Sequence, residues 1–99
     1  MNEKKNLTTE ETFSLAVKNH KKKKFKIAEN LYIKTLKFDP NFVNAHYNLG
    51  IVLQELGEYK RAIKSYEKTI QIDPKFTDAH NNLGIVFDLL GETTKAKNF

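Results

Sequence analysis

The fold of this chain is decided by the stretch Asn44-Ala45-His46-Tyr47-Asn48-Leu49-Gly50-Ile51-Val52, which returns 34 residues later as Asp78-Ala79-His80-Asn81-Asn82-Leu83-Gly84-Ile85-Val86. Shorter segments return at the same spacing, with Asp39-Pro40-Asn41-Phe42 matched by Asp73-Pro74-Lys75-Phe76. A repeat of this length is one supersecondary unit, which buries its apolar face only by stacking on copies of itself. The sequence therefore predicts a linear stack, with its function on an extended surface rather than in a pocket.

Composition narrows the class of protein further. The chain has 99 residues, enough for one domain, and no cysteine, which excludes disulfides and thiolate metal sites. No apolar run approaches about 18 residues, so we expect no membrane partner. The N-terminus has no apolar signal core, and the cytoplasm is the predicted location. The net charge of +5 is uneven, because ten lysines and four glutamates lie in residues 1–38, with the excess centred on Lys21–Lys26.

The apolar pattern predicts pairs of helices. Residues 43–56 and 58–72 each carry an apolar stripe at helical spacing, separated by Gly57 and ended by Asp73-Pro74. We divide the chain into a lead-in at 1–8, repeat one at 9–42, repeat two at 43–76, and repeat three at 77–99, truncated in its second helix. The predicted fold is all-α, an α-α superhelix of two complete repeats and one truncated repeat. Because the last unit is truncated, we expect its end to fray and the chain to associate end to end through it.

At this point the chain resembles the tetratricopeptide repeat family. The matching residues are Leu15, Ala16, Phe25, Ala28, Tyr32 and Pro40 in the first unit, Leu49, Gly50, Tyr59, Ala62, Tyr66 and Pro74 in the second, and Leu83, Gly84 and Ala96 in the third. The departures are His46 and His80 where an aromatic is common, Thr93 where Tyr or Phe is usual, and Lys23 where glycine often lies. The resemblance implies a right-handed superhelix whose first helices line a concave groove that binds peptides or other proteins.

Helical geometry places the predicted groove on the side of the first helices opposite the core. An apolar strip flanked by amides and acids suits a peptide or a partner helix, although these residues could instead only pack against the next repeat. The predicted groove residues are Phe13, Val17, Asn44, Tyr47, Asn48, Ile51, Glu55, Asp78, Asn81, Asn82 and Ile85.

Asn48 and Asn82 form the most specific pair in this groove. A carboxamide both donates and accepts, so asparagines repeated along a groove could bind a peptide backbone whatever its sequence. The sequence around Asn82 is similar to the repeats of O-linked N-acetylglucosamine transferase-type proteins, where such asparagines contact substrate peptides. The alternative is that they bond only within their own superhelix, and Ser14 breaks the series in the first unit.

Other functions of the family are tested residue by residue. Repeats that hold chaperone C-termini use a clamp of lysine, asparagine and arginine, whereas the aligned residues here are Phe13, Val17, Asn48, Asp78 and Asn82. The negative charge of Asp78 would repel a ligand carboxylate, so we expect no clamp of this type. The basic run Lys21–Lys26 occupies a single loop, and we do not expect nucleic acid as a partner.

The chain shows no catalytic motif. Ser14 and Ser65 lie outside any nucleophile-elbow context, and His46 and His80 lack ligand partners at helical spacing, so we predict no metal, no cofactor and no enzymatic activity. The predicted function is a protein-interaction scaffold that binds a peptide or partner domain in the groove. The alternative is an N-terminal repeat arm of a larger glycosyl- or sulfotransferase, which recruits its protein substrate.

Overall fold

The computed structural model describes residues 6–97, and their side chains as far as Glu92. It contains five helices, and the described residues include no strand: α1 (Thr9–Lys21), α2 (Phe25–Phe38), α3 (Val43–Glu55), α4 (Tyr59–Ile72) and α5 (Thr77–Lys97). Helices α1 and α2 pack together as one hairpin and α3 and α4 as the next, while α2 packs on α3 and α4 on α5. The stack is elongated, with extents of 62 × 29 × 19 Å. The predicted all-α solenoid is therefore confirmed.

Local chemistry explains where the helices begin and turn. Thr8 caps α1 with the predicted capping box, since its hydroxyl accepts from the Glu11 backbone at 3.0 Å and the Glu11 carboxylate accepts from the Thr8 backbone at 2.9 Å. The turn after α3 places Gly57 at φ 75°, a left-handed conformation that glycine adopts without strain. The equivalent turn after α1 places Lys23 at φ 62°, so a residue with a Cβ occupies a glycine conformation.

The core lies between the helix layers and is built mainly from small residues around two tyrosines. Tyr32 and Tyr66 are fully buried, and the buried alanines Ala16, Ala28, Ala45, Ala62 and Ala79 let the helices approach closely. Gly50 shows how tight this approach is, because a Cβ built there would lie 2.5 Å from Cε1 of Tyr66. Gly84 holds the same position in the next repeat, but nothing lies within 4 Å of a Cβ built there. Close packing therefore requires glycine at position 50, whereas the space around position 84 is open.

The structure differs from the sequence pattern at Gly91. Leu90-Gly91-Glu92 matches the turn sequence Leu56-Gly57-Glu58, yet α5 runs from Thr77 to Lys97 without a break. A turn is stabilised when the following helix has an apolar stripe that packs back, as α4 does with Tyr59 and Tyr66. Thr93 occupies the repeat position of Tyr59, so the segment after Gly91 lacks the aromatic side chain that would pack back. Continued helical hydrogen bonding is then more favourable than a turn, although glycine inside a helix costs about 1 kcal/mol.

Consequently no second helix of the third repeat begins within residues 77–97. The repeat boundaries themselves stay predictions. The predicted lead-in is described only from Asn6, and the part of the predicted fraying that concerns Asn98 and Phe99 lies outside the described residues.

Candidate peptide-binding groove

The eleven predicted groove residues lie on α1, α3 and α5, and none of them is buried; we call this set the groove face. Five are exposed and six are half-buried. The exposed ones are Asn44, Glu55, Asp78, Asn81 and Ile85, and the half-buried ones are Phe13, Val17, Tyr47, Asn48, Ile51 and Asn82. All eleven thus keep some surface that a ligand could contact, and their binding role stays a prediction.

Two aromatic residues of the groove face also pack against the turn that leads into the next repeat. The Phe13 ring lies 4.6 Å from that of Phe42, and the Tyr47 ring lies 4.8 Å from that of Phe76, in the turn that precedes the next repeat. Both distances are within the range of favourable aromatic pairs. Each ring is therefore partly covered by packing within the solenoid, as the alternative interpretation expects. The rest of each ring is accessible, because Phe13 and Tyr47 are half-buried.

The two groove asparagines contact the buried tyrosines of the preceding repeat. Asn82 Nδ2 lies 3.2 Å from the Tyr47 hydroxyl and 3.5 Å from the Tyr66 hydroxyl. Asn48 interacts in the same way with Tyr32: burial raises the pKa of Tyr32 to about 12, and the Asn48 side chain acts against that rise. A donor that stabilises the phenolate has this effect. The asparagines thus form part of the interface between repeats, which the sequence left open.

The orientation of the Asn82 amide follows from proton counting at Tyr66. Its hydroxyl donates to Oε1 of Gln54 at 2.9 Å, so it has only lone pairs left for Asn82. With Gln54 Oε1 accepting from that hydroxyl, the group that faces Tyr66 is the amide Nδ2, at 3.5 Å, and no hydrogen bond to Oδ1 forms within the described part of the chain. Asn82 presents a fixed acceptor rather than the donor–acceptor pair that the sequence suggested.

His20 takes the place of Gln54 one repeat earlier. Its Nδ1 lies 3.0 Å from the Tyr32 hydroxyl, and burial lowers the pKa of His20, although Glu55 partly raises it. The neutral ring can accept the tyrosine proton, as Gln54 does for Tyr66. Since positions 20 and 54 differ in residue type, the 34-residue pattern alone did not reveal this shared hydrogen bond.

The groove face carries more acid than base. Burial, followed by the nearby Asp78 carboxylate, raises the pKa of Tyr47, while the Asn82 bond acts against the rise. Glu55 acts in the same direction on Tyr66, whose pKa is raised chiefly by burial. The negative field of Glu55 and Asp78 favours a ligand that is not anionic.

The repeated histidines have a structural role. His46 Nε2 lies 2.7 Å from the Pro40 carbonyl and His80 Nε2 lies 2.9 Å from the Pro74 carbonyl, so each ring donates to the turn before its own helix.

No group of three metal-binding side chains occurs among the described residues. A shallow concavity of about 390 Å³ lies beside α1, where Leu7 and Leu15 line it, but it reaches the α1 surface and not the α3 or α5 part of the groove face.

No helix in the described part of the chain combines the length and the hydropathy that crossing a bilayer requires.

Comparison with known proteins identifies the repeats. Three family models match: the tetratricopeptide repeat at residues 43–76, the TPR repeat at 20–57, and a further tetratricopeptide repeat at 65–98. No curated protein matches the chain.

Several solved structures share the fold. A crystal structure of MamA aligns with a TM-score of 0.83 at 28% identity, over 85% of this chain and 49% of that one. The C-terminal TPR-containing domain of a Plasmodium falciparum protein, described as an FK506-binding protein, aligns with a TM-score of 0.81 at 28% identity, over 88% and 58%. The CopN-Scc3 complex aligns with a TM-score of 0.82 at 19% identity, over 91% and 53%, which shows the fold alone.

The chain spans roughly half the length of these solved structures. The three matches together cover residues 20–98, and the fold agrees with known structures of such repeats. Residues 20–98 of this chain are therefore tetratricopeptide repeats, and the chain folds as a solenoid of these repeats.

Proposed function

We propose that this chain is a protein-interaction scaffold and that its groove face holds an extended peptide segment. The observation that carries the proposal is the fixed Oδ1 of Asn82, beside the accessible rings and aliphatic side chains of the groove face. An amide already held by the Tyr47 hydroxyl at 3.2 Å, with the Tyr66 hydroxyl 3.5 Å away, loses less side-chain entropy when it accepts a peptide N–H. Tyr47, whose hydroxyl contacts Asn82, and Ile85, one helical turn further along α5, offer accessible apolar surface near this acceptor.

The similar solved structures support this proposal at the level of the fold. One of them is the structure of a complex, that of CopN with Scc3.

The test begins with peptides selected from a random library on the immobilised chain. Their affinities are then measured by calorimetry for the wild type and for Asn82→Ala. Loss of one hydrogen bond to the ligand is expected to weaken binding by about 1–3 kcal/mol. Asn30→Ala is the matched control, because Asn30 is an exposed asparagine on α2.

A second substitution separates the two functions of Asn82. Asn82→Asp keeps acceptor oxygens but removes the Nδ2 donor, so it should weaken the contact with Tyr66 while preserving the acceptor for a peptide N–H. If Asn82→Ala stays folded and binds the selected peptides as tightly as wild type, the proposal fails.

The transferase-arm alternative would use the same groove face to recruit a protein substrate. It predicts the same loss of affinity in Asn82→Ala, so binding assays do not distinguish it from a free scaffold. A transferase domain in the same reading frame would establish it, and a stop codon after Phe99 would reject it.

End-to-end association is a separate proposal about the exposed side of α5. Phe87 is 51% exposed, whereas its counterpart Leu53 is 1% exposed beneath α4. Association through this side should bury Phe87, and Phe87→Ser should then return the chain to monomer in sedimentation experiments. A monomer at all concentrations in wild type would contradict this proposal.

A further inference from the structure

The charge of the solenoid is divided between its two sets of helices. Helices α2 and α4 hold six lysines and one arginine against two glutamates. The first helices, α1, α3 and α5 as far as Glu92, hold two lysines against six acids. The side of the stack formed by α2 and α4 is therefore basic, and the groove face is on the opposite set of helices.

Helix α2 combines this charge with exposed apolar side chains. Ile27 and Phe38 are 50% and 51% exposed, and their spacing of 11 residues places them on one stripe of the helix, about 16 Å apart along its axis. Exposed lysines flank both of them. We call the set Lys23, Lys24, Ile27, Lys34, Lys37 and Phe38 the α2 outer face.

Glu29 and Asp39 are the acids on and beside α2, and Glu29 is paired with cations. Glu29 is buried and bonded to Arg61 at 2.7 Å and to Lys26 at 3.0 Å. Burial by itself raises the pKa of Glu29, but these two partners bring it below its ordinary value. Asp39, at the end of α2, accepts from the Asn41 backbone at 3.1 Å.

We propose that the α2 outer face docks this chain onto an anionic lipid surface. Lysines attract acidic headgroups, and the apolar side chains between them insert at the boundary of the acyl chains. This is peripheral binding, so it does not require a membrane-spanning helix. The sequence-based expectation of no membrane partner rested on the lack of such a span, and only the fold shows that Ile27 and Phe38 are exposed among the lysines.

A nucleic acid would also attract the lysines, but it would not need Ile27 or Phe38. Backbone binding of this kind depends on charge, and stacking on bases would require exposed aromatics spaced along the surface. The apolar pair therefore favours lipid, and it distinguishes the two partners experimentally.

The first experiment is sedimentation of the full chain with phosphatidylcholine vesicles, with and without phosphatidylserine. Binding is expected only with phosphatidylserine, and it should weaken as salt rises. Lys34→Gln with Lys37→Gln should lower the partition coefficient roughly 25-fold, at about fivefold for each lysine. The control is Lys18→Gln with Lys75→Gln, which removes the same charge from elsewhere on the surface.

The second experiment tests the apolar pair. Ile27→Ser with Phe38→Ser should reduce vesicle binding at least tenfold, while Ile85→Ser, equally exposed at 49% but on the groove face, should leave it unchanged. Circular dichroism of each variant confirms that it is folded. Absence of binding to phosphatidylserine vesicles would overturn the proposal. An unchanged affinity of the Ile27→Ser/Phe38→Ser variant for these vesicles would also overturn it. A third contrary result would be that the protein binds single-stranded RNA more tightly than vesicles and that this variant retains the RNA binding.

Discussion

Two glycines at the same repeat position should respond oppositely to alanine. Gly50 and Gly84 both lie inside helices, α3 and α5, and replacing glycine by alanine in a helix gains about 1 kcal/mol of folding free energy. At Gly84 the new methyl group meets nothing within 4 Å, so the gain should be realised. Gly84→Ala should therefore stabilise the protein by about 0.5–1 kcal/mol.

At Gly50 the same methyl group meets the Tyr66 ring. The Cβ would lie 2.5 Å from Cε1, 2.8 Å from Cδ1 and 3.0 Å from Cζ, so the ring must move. Overpacking of this kind costs about 1–3 kcal/mol, and displacement of the ring also weakens the bond from its hydroxyl to Gln54. After subtraction of the helix gain, Gly50→Ala should destabilise the protein by about 1–2 kcal/mol.

The difference between the two variants isolates the tyrosine contact, because the helix gain is common to both. Urea unfolding followed by circular dichroism at 222 nm gives both free energies. For a chain of this size, 1 kcal/mol corresponds to a shift of about 4–8 °C in Tm. If Gly50→Ala stabilises the protein as much as Gly84→Ala does, the reasoning from the Tyr66 contact is refuted.

Three further predictions concern the turn, the pH dependence and the ion pair between Arg61 and the buried Glu29. Lys23→Gly should stabilise the protein by about 1 kcal/mol in urea unfolding, since it relieves a left-handed conformation; an unchanged midpoint would contradict this. Because burial lowers the pKa of His20 below its unfolded value, stability should be complete above about pH 6.5 and fall as the pH drops below it. His20→Gln should reduce that fall while keeping the bond to Tyr32, and an unaltered pH profile would exclude His20 as its source. Arg61→Leu should cost about 1–2 kcal/mol in thermal or urea unfolding, because it leaves Glu29 with one partner; a loss no larger than that of Lys60→Leu would show that the pair contributes little.

Much of the fold could be predicted from the sequence because its repeat is local. The recurring apolar positions, the Asp-Pro ends and the Gly57 turn act within a few residues, so they define each helix pair and the all-α class. Helical periodicity also selected the groove face, since the side of a helix that faces away from its partner is a property of spacing alone. The structure keeps all eleven of those residues at least partly exposed.

What the sequence left undecided depends on contacts between repeats. The 34-residue pattern treats Gly50 and Gly84 as equivalent, yet only Gly50 contacts a tyrosine, because that contact comes from the following helix. It also predicts a turn at Gly91, where α5 continues.

The groove asparagines illustrate the same division. Their spacing was visible in the sequence, but whether Asn82 offers a donor, an acceptor or both was not. That depends on the single proton of Tyr66, which goes to Gln54 and so commits the Asn82 amide to the tyrosines. Sequence alone predicted which residues face the groove, and the tertiary structure decided which of their hydrogen-bonding groups are already paired within the protein, because each hydroxyl has only one proton to donate.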